Sequence, residues 1–455
     1  MYTSYIGRRF LTLWNERTGQ DLSARQFFDK EMFPLFYDSP KYLQWVPSSA
    51  FAQDLDKEGK ALVKSGHSPY EIKLTKLHEK VNGNLTPDAS FVIGFPAAGT
   101  AGTTSGQVSG VGPRVAAEDM YCSWIGGALG VGVSGGLSML LDEDEVLWSL
   151  YEGWPHYRAY LNQRDSLKGN QIDTWNGRWL THAFDSEFDA RRPTANFDFD
   201  AALDAKDGTS SIRTQPWVNV LFALAEKFQC RLTAYVYSLA QTNRTIGFVP
   251  LELDQIDDLH QLAQRLFQLS PAVRDWQQLR KLYETHYSFG RACEQGSIGL
   301  AAIEPAKLQE YMPGKDRKIS LKTEADRIQL DIYQLWIIAM LNNQELYGVA
   351  DRLADALLQF ARRDDGRNAG RAKNTINQQV EQVFVKHRPA FIEKLTELLS
   401  AVKSEEPYRS VFDEVVRHIM GMPVDNFPLF IILTRFRYVA RQGAAVPAAA
   451  EVAHS

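Results

Sequence analysis

The chain has 455 residues, 44% of them hydrophobic and 11% aromatic, which is ample for two or three domains with buried cores and excludes disorder over most of its length. A formal net charge of −5 argues against a protein that coats nucleic acid without specificity, although a local basic patch can act inside an acidic whole. Three widely spaced cysteines, Cys122, Cys230 and Cys293, form no CxxC pair, so no disulfide framework or cysteine zinc knuckle is available. A reducing cytoplasm is the expected setting, and MYTSYIGRRFLTLWN at the N-terminus lacks the basic-then-apolar order of a signal peptide.

Residues 1–89 read as a helical N-terminal region. Ser23 with Gln26 and Ser68 with Glu71 have capping-box spacing, the second with Pro69 at the first helical position. Phe27, Phe28, Phe33, Phe36, Tyr37, Tyr42 and Trp45 crowd this region, as a packed core or as a face for a partner subunit.

Residues 90–253 read as a mixed α/β body. Phe91 to Phe95 is expected to be a strand feeding a glycine loop, and twelve of the 31 glycines fall between Gly94 and Gly136. Glycine at that density means backbone that approaches something closely or takes positive φ. The first group, GFPAAGTAGTTSGQVSGVGPR, carries Gln107, Ser109, Gly110 and Arg114 and reads as an exposed polar loop. The second, IGGALGVGVSGG, is apolar and reads as a packed small-residue segment. Cys122 to Leu141 has no charged residue and approaches the length of a membrane span. Acidic flanks (Glu118, Asp119 and Asp142 to Glu145), with no Lys or Arg to set topology, favour a buried segment and no membrane partner.

Further along, Leu137 to Leu150 is expected to be a helix, as is the stretch that Pro216 opens and Phe228 closes. CRLTAYVYSL, QTNRT and IGFVPLEL read as a β-hairpin turning at Thr242 to Arg244. Asp185 to Ser211 reads as a surface loop; its carboxylates invite a metal, but no D-x-D-x-D-G pattern or histidine partner accompanies them. From 254 to 440 apolar residues recur at helical spacing, with short links such as Leu341-Asn342-Asn343, giving a helical bundle. Residues 441–455 are a low-complexity tail expected to be mobile. The fold class is therefore α+β: helical N-terminal region, mixed body with glycine-rich loop and hairpin, C-terminal bundle.

Enzymatic signals are thin. Gly130 to Gly135 satisfies GxGxxG, but no clear apolar strand precedes it and no succession of βαβ units follows. Gly99 to Gly106 lacks the Lys-Ser/Thr of a P-loop, and the nine histidines form no HExxH. No nucleophile elbow is present. The reading assigns no catalytic residue, no metal and no cofactor. Binding signals are better. ARRDDGRNAGRAKN sets Arg362, Arg363, Arg367, Arg371 and Lys373 against two aspartates, either as a flexible basic loop for a phosphate backbone or as an exposed helix connection. Trp175-Asn176-Gly177 pairs a stacking ring with an amide, and Asn243 and Arg244 crown the hairpin; each is a base reader or simply a turn.

In SYIGRRFLTLWN, SGQVSGVG, SWIGGALGVGVSGG, TWNGRWL, VYSLAQTNRTIGF and a terminal helical bundle, the chain resembles the large subunit of type I CRISPR interference (Cascade-type) complexes. The resemblance implies a non-catalytic cytoplasmic subunit of a guide-RNA-containing multi-subunit complex in antiviral defence. Such a subunit reads the protospacer-adjacent motif in target double-stranded DNA, leaves sequence recognition to the guide and works with a helicase-nuclease recruited in trans. On this expectation Gln107, Ser109 and Asn243 probe base edges, Gly110 allows close approach, and Arg114 and Arg244 contact phosphate. Trp175 or Asn176 holds the opened duplex, and the loop with Arg362, Arg363, Arg367, Arg371 and Lys373 grips the displaced strand. The resemblance also raises a free helical small subunit translated from Met312, in YMPGKDRK. The alternatives are a defence nuclease with dispersed acidic residues, a nucleotide-binding transferase using Gly130 to Gly135, and a scaffold that works through its aromatic N-terminus.

Overall fold

The computed structural model describes residues 1–46, 48–83, 87–95, 115–239, 241–267, 283, 288–315, 317–362, 378–403 and 405–444. The chain is α+β and divides into two compact units, Met1–Asp254 with Ser288–Gly299, and Gln255–Tyr287 with Leu300–Ser455.

The first unit is built on a close helix pair. Helix α1 (Tyr2–Thr18) buries Ile6, Phe10, Leu13 and Trp14 and ends on Gly19 in the left-handed conformation. It lies against α6 (Ala117–Gly127), and glycine makes the contact possible. A Cβ on Gly7 would sit 1.9 Å from the Cys122 carbonyl oxygen, and one on Gly126 would sit 1.9 Å from that of Thr3. Between them come α2 (Ala24–Phe27), opened by the Ser23–Gln26 capping box, a π-helical turn (Phe28–Met32), α3 (Phe33–Phe36), α4 (Lys57–Lys64) and α5 (Pro69–Asn82). Phe27, Phe28, Phe33, Phe36 and Tyr37 are all buried, so this part of the aromatic run is core, while Tyr42 is half-buried and Trp45 is 44% exposed. Residues 1–89 thus share one unit with the α/β body.

Phe91 to Phe95, expected as a strand, is a series of turns. Its backbone is satisfied by side chains rather than by a ladder: Ser123 Oγ accepts from Ile93 N, Trp124 Nε1 donates to Phe91 O, and Thr3 Oγ1 donates to Ile93 O. The apolar stretch after α6 divides into β1 (Val131–Val133) and β2 (Leu137–Leu141), a hairpin turned by Gly135 (φ 102°) and Gly136 (φ 75°). The helix expected from Leu137 therefore begins later, as α7 (Asp144–Gln163), because Asp142 and Glu143 end the strand. No helix of the described residues is long and apolar enough to cross a membrane.

Helix α8 (Ile172–Ala183) is followed by a small hairpin, β3 (Leu203–Lys206) with β4 (Thr209–Ile212), inside the expected surface loop. Helix α9 (Trp217–Lys227) runs between Pro216 and Phe228 as its sequence signals require. Strands β5 (Arg231–Ser238) and β6 (Gln241–Glu252) complete an antiparallel sheet of order β1-β2-β5-β6. Ser238 pairs with Gln241, so the turn falls before Thr242–Arg244. The register slips twice: Ile246 is skipped beside Gly247, which takes φ 105°, and Thr242, Asn243 and Arg244 have no register partner between the pairs Tyr237–Thr245 and Ser238–Gln241. Residues 296–299 lie along β6 through Ile298, which exchanges hydrogen bonds with Pro250 and Glu252; α11 (Phe289–Glu294) precedes them.

In the second unit, α10 (Leu253–Phe267), starting at the unit boundary, is joined by α12 (Glu324–Leu341), α13 (Glu345–Arg362), α14 (Arg388–Ala401), α15 (Tyr408–Met420) and α16 (Phe427–Ala444). Asn342, left-handed at φ 47°, ends α12 and allows the short link to α13. Helix α13 buries Leu346, Val349, Leu353 and Leu357 and packs on α15 and α16. Arg352 grips Glu414 with two bonds of 3.0 and 2.6 Å, and Asp351 accepts from both Arg437 and Arg441. Of the tail expected from 441, residues 441–444 belong to α16, where Arg441 pairs with Asp351 and Asp355, and the remainder lies outside the described residues.

Candidate functional site

Trp175 and Asn176 lie on α8, where Trp175 and Trp179 share a buried face and Gly177 lets the helix touch the Gly132 carbonyl. Asn176 is 0% exposed; its Nδ2 donates to the carbonyl oxygens of Ala128 (2.9 Å) and Gly130 (2.8 Å). The Trp175 ring is 1% exposed, stacks on Tyr157 with centroids 5.1 Å apart, and its Nε1 donates to Gly153 O. Neither side chain offers a face to an opened duplex, which corrects the expectation drawn from TWNGRWL. The reason is positional: the chain leaving α6 for β1 has carbonyls with no ladder partner, and the amide satisfies them.

The same seam holds a polar cluster that the sequence pattern did not disclose. Ser138 Oγ (2.7 Å) and the Tyr237 hydroxyl (3.1 Å) both donate to Asp173 Oδ1. Burial pushes the Asp173 carboxyl up to about 6 against the pull of those two bonds. Gly130 fits directly above it, since a Cβ there would lie 2.1 Å from Asp173 Oδ1 and 2.2 Å from the Tyr237 hydroxyl. Ser138 and Tyr237 are buried, and Asp173 is half-buried between them. The GxGxxG segment is thus a β-hairpin seated on a carboxylate, not the strand-to-helix turn that receives a pyrophosphate.

Tyr2 and Tyr5 at the start of α1 meet the cross-strand pair Tyr235 and Phe248 on the outer sheet face. Tyr2 lies 4.8 Å from Tyr235 and 5.0 Å from Phe248, centroid to centroid. Phe248 is 63% exposed and Tyr5 48%. Around them the charges are paired: the Tyr5 hydroxyl donates to Asp142 (2.8 Å), and Arg9 bridges Asp142 and Asp144. Tyr2 is pushed up to about 12 by burial and by Asp142.

Of the remaining expected site residues, Arg362 is exposed at the C-terminal end of α13. Asn243 and Arg244 belong to β6, with side chains outside the described residues. Gln107, Ser109, Gly110, Arg114, Arg363, Arg367, Arg371 and Lys373 lie outside the described residues altogether. Three of the carboxylates of 185–207 are ion-paired: Asp189 with Arg192, Asp200 with Arg164, and Asp204 with Arg213. Among the described residues no three His, Cys, Asp or Glu side chains are grouped to hold a metal. Comparisons with protein-family models, with curated proteins and with solved structures returned no match to this chain.

Proposed function

We propose that the chain is the DNA-recognition and assembly subunit of an RNA-guided surveillance complex of the type I CRISPR class, working without catalysis of its own in the cytoplasm. The observation that carries this reading is the order of parts: a glycine-rich polar segment and a β-hairpin within an α+β unit, followed by a helical unit with a basic segment after an exposed Arg362. In this reading Gln107, Ser109 and Asn243 probe base edges of the protospacer-adjacent motif, with Gly110 allowing close approach, and Arg114 and Arg244 hold phosphate. Arg362, Arg363, Arg367, Arg371 and Lys373 attract the displaced strand. Trp175 and Asn176 keep the α8 seam closed behind the hairpin. The helicase-nuclease and the guide-bearing subunits are the partners this role requires.

The test is reconstitution with the subunits encoded beside it. A guide-loaded complex containing the chain should bind duplexes carrying one short motif next to the guide-complementary stretch. Equal binding by the complex assembled without the chain, or no motif preference across a randomised library, would overturn the reading.

A further inference from the structure

Strand β6 is an edge of the four-stranded sheet, and among the described residues its outer side is paired over only part of its length. Ile298 N–H donates to Pro250 O and Ile298 O accepts from Glu252 N–H, both at 2.8 Å. Backbone groups alternate in direction along a strand, so Phe248 turns its N–H and C=O to the same outer side as Pro250 and Glu252. The chain that would run beside Phe248 is instead turning at Gln295 and Gly296, the latter at φ 88°. No described residue bonds the Phe248 backbone there. The opposite edge is closed: Val133 of β1 bridges Gln215, whose carbonyl oxygen accepts from Ser134 N–H at 2.9 Å, and α8 lies against Gly132.

The open stretch adjoins an aromatic shelf. Phe248 and Tyr235 form a cross-strand pair with centroids 5.2 Å apart, and Tyr2 and Tyr5 continue it from α1, stacked at 5.5 Å. Ile246 is exposed beside them. An unpaired edge next to exposed rings takes up an extended peptide, whose main chain bonds the strand while alternate side chains reach the shelf.

Charge on the rim selects among such peptides. The Tyr5 hydroxyl ties the shelf to Asp142, the first of four successive carboxylates, Asp142 to Glu145. Arg9 alone meets both Asp142 and Asp144, Arg17 meets Glu145, and Glu143 has no ion pair among the described residues. Four carboxylates against two guanidiniums leave a net charge of −2. That rim repels a phosphate backbone, offers a second copy of the chain nothing complementary, and attracts lysine or arginine.

We infer that the β6 edge at Phe248 docks an extended, basic and apolar peptide segment of a partner protein. The segment adds a strand to the sheet, sets alternate apolar side chains on Tyr2, Tyr5 and Phe248, and turns its cations to the 142–145 rim. The inference rests on the first unit alone and stands apart from the DNA-binding reading, so either can fail without the other.

The experiment titrates a fluorescent peptide of alternating valine and lysine, about six residues long, with the full-length chain and follows anisotropy. Phe248→Ser, at an exposed side chain, should weaken binding about tenfold with the thermal midpoint unchanged. Glu143→Lys should weaken the lysine peptide and favour its valine–glutamate counterpart, which the wild-type chain should not bind. Methylating the peptide's backbone nitrogens should abolish binding. Failure of the lysine peptide to bind, binding that survives methylation, or wild-type affinity in both variants overturns the inference. Binding of dT20 that Phe248→Ser weakens would assign the shelf to nucleic acid, and a sedimenting dimer that Phe248→Ser dissolves would assign the edge to a second copy; each overturns it as well.

Discussion

Replacing Gly126 by Ala tests the helix pair on which the first unit is built. In an open helix the change would stabilise by about 1 kcal/mol, because alanine loses less backbone entropy. Here the new Cβ would lie 1.9 Å from Thr3 O, 2.8 Å from Gly7 N and 2.9 Å from Thr3 C. All three atoms are backbone, so no rotamer change relieves the clash. Reaching ordinary contact requires α1 and α6 to part by about 1.5 Å over a densely packed face. Overpacking of this kind costs about 3 kcal/mol at the upper end of its usual range, leaving about 2 kcal/mol of net destabilisation. For a unit of this size that lowers the thermal midpoint by about 4–8 °C. Calorimetry follows the midpoint, and hydrogen exchange across α1 localises the loss. Gly290→Ala is the control: it sits in a helix of the same unit with its nearest neighbours at 3.7 Å, and should be neutral or stabilising. A Gly126→Ala midpoint at or above wild type would refute the close-packing argument.

Other outcomes follow from the seam and the loop. The Asp173 carboxyl sits at about 6 in the fold against about 3.9 unfolded, so its ionisation opposes folding. The contribution of this group to stability is therefore greatest below about pH 4 and falls as pH rises through about 6, by at most about 3 kcal/mol. Asp173→Asn should flatten the midpoint-versus-pH curve across that window, and an unchanged slope would assign the dependence elsewhere. Asn176→Ala strips the carbonyls of Ala128 and Gly130 of their donor and should cost about 2–5 kcal/mol in urea unfolding; a wild-type midpoint would show that another group takes over. Gln107→Ala or Gly110→Val should weaken motif-duplex binding by the assembled complex about tenfold or more without shifting the unfolding midpoint. Unchanged binding by both would take the glycine loop out of the interface.

What the sequence disclosed was what local chemistry decides. Helix α9 is bracketed by Pro216 and Phe228, α2 opens on the Ser23–Gln26 box, and α12 ends at the short Leu341-Asn342-Asn343 link; each is set by residues within a turn or two. Strand β2 was hidden because Leu137–Leu141 is apolar but for Ser138 and lacks strict alternation, and its β5 partner Ser238 lies about a hundred residues away. The hairpin turn was displaced because Thr242-Asn243-Arg244 has turn composition, yet the strands close at Ser238–Gln241, and these three residues are left as an irregularity within β6 with a second at Ile246 beside Gly247. Asn176-Gly177 reads locally as a turn, whereas the glycine is there to let α8 touch the Gly132 carbonyl and the amide to serve Ala128 and Gly130. For β2 on β5 and for Asn176 the deciding partner is distant in sequence, and no window of neighbouring residues contains it; the β1–β2 pairing and the hairpin turn are local.

The same distinction bears on a product starting at Met312. Helices α12 to α16 lie downstream and carry their own apolar faces, which makes an independent bundle plausible from the sequence. The unit they belong to, however, also includes Gln255–Tyr287 and Leu300–Tyr311. Trp336 Nε1 donates to Leu300 O at 2.9 Å, the Tyr333 hydroxyl donates to Ala306 O, and Tyr311 packs on Tyr333 and Phe436. Leu300, Ile303 and Leu308 are buried in this unit, as are Ile256 and Leu259 of α10. Removing the first three alone withdraws about 5–9 kcal/mol of burial, comparable with the whole stability of a domain. A fragment Met312–Ser455 should therefore melt without a sharp transition and bind a hydrophobic dye, whereas Leu253–Ser455 should melt cooperatively. Equal, sharp transitions in both fragments would show that the preceding segment is only laid on the bundle, and would restore Met312 as a workable start for a free helical subunit.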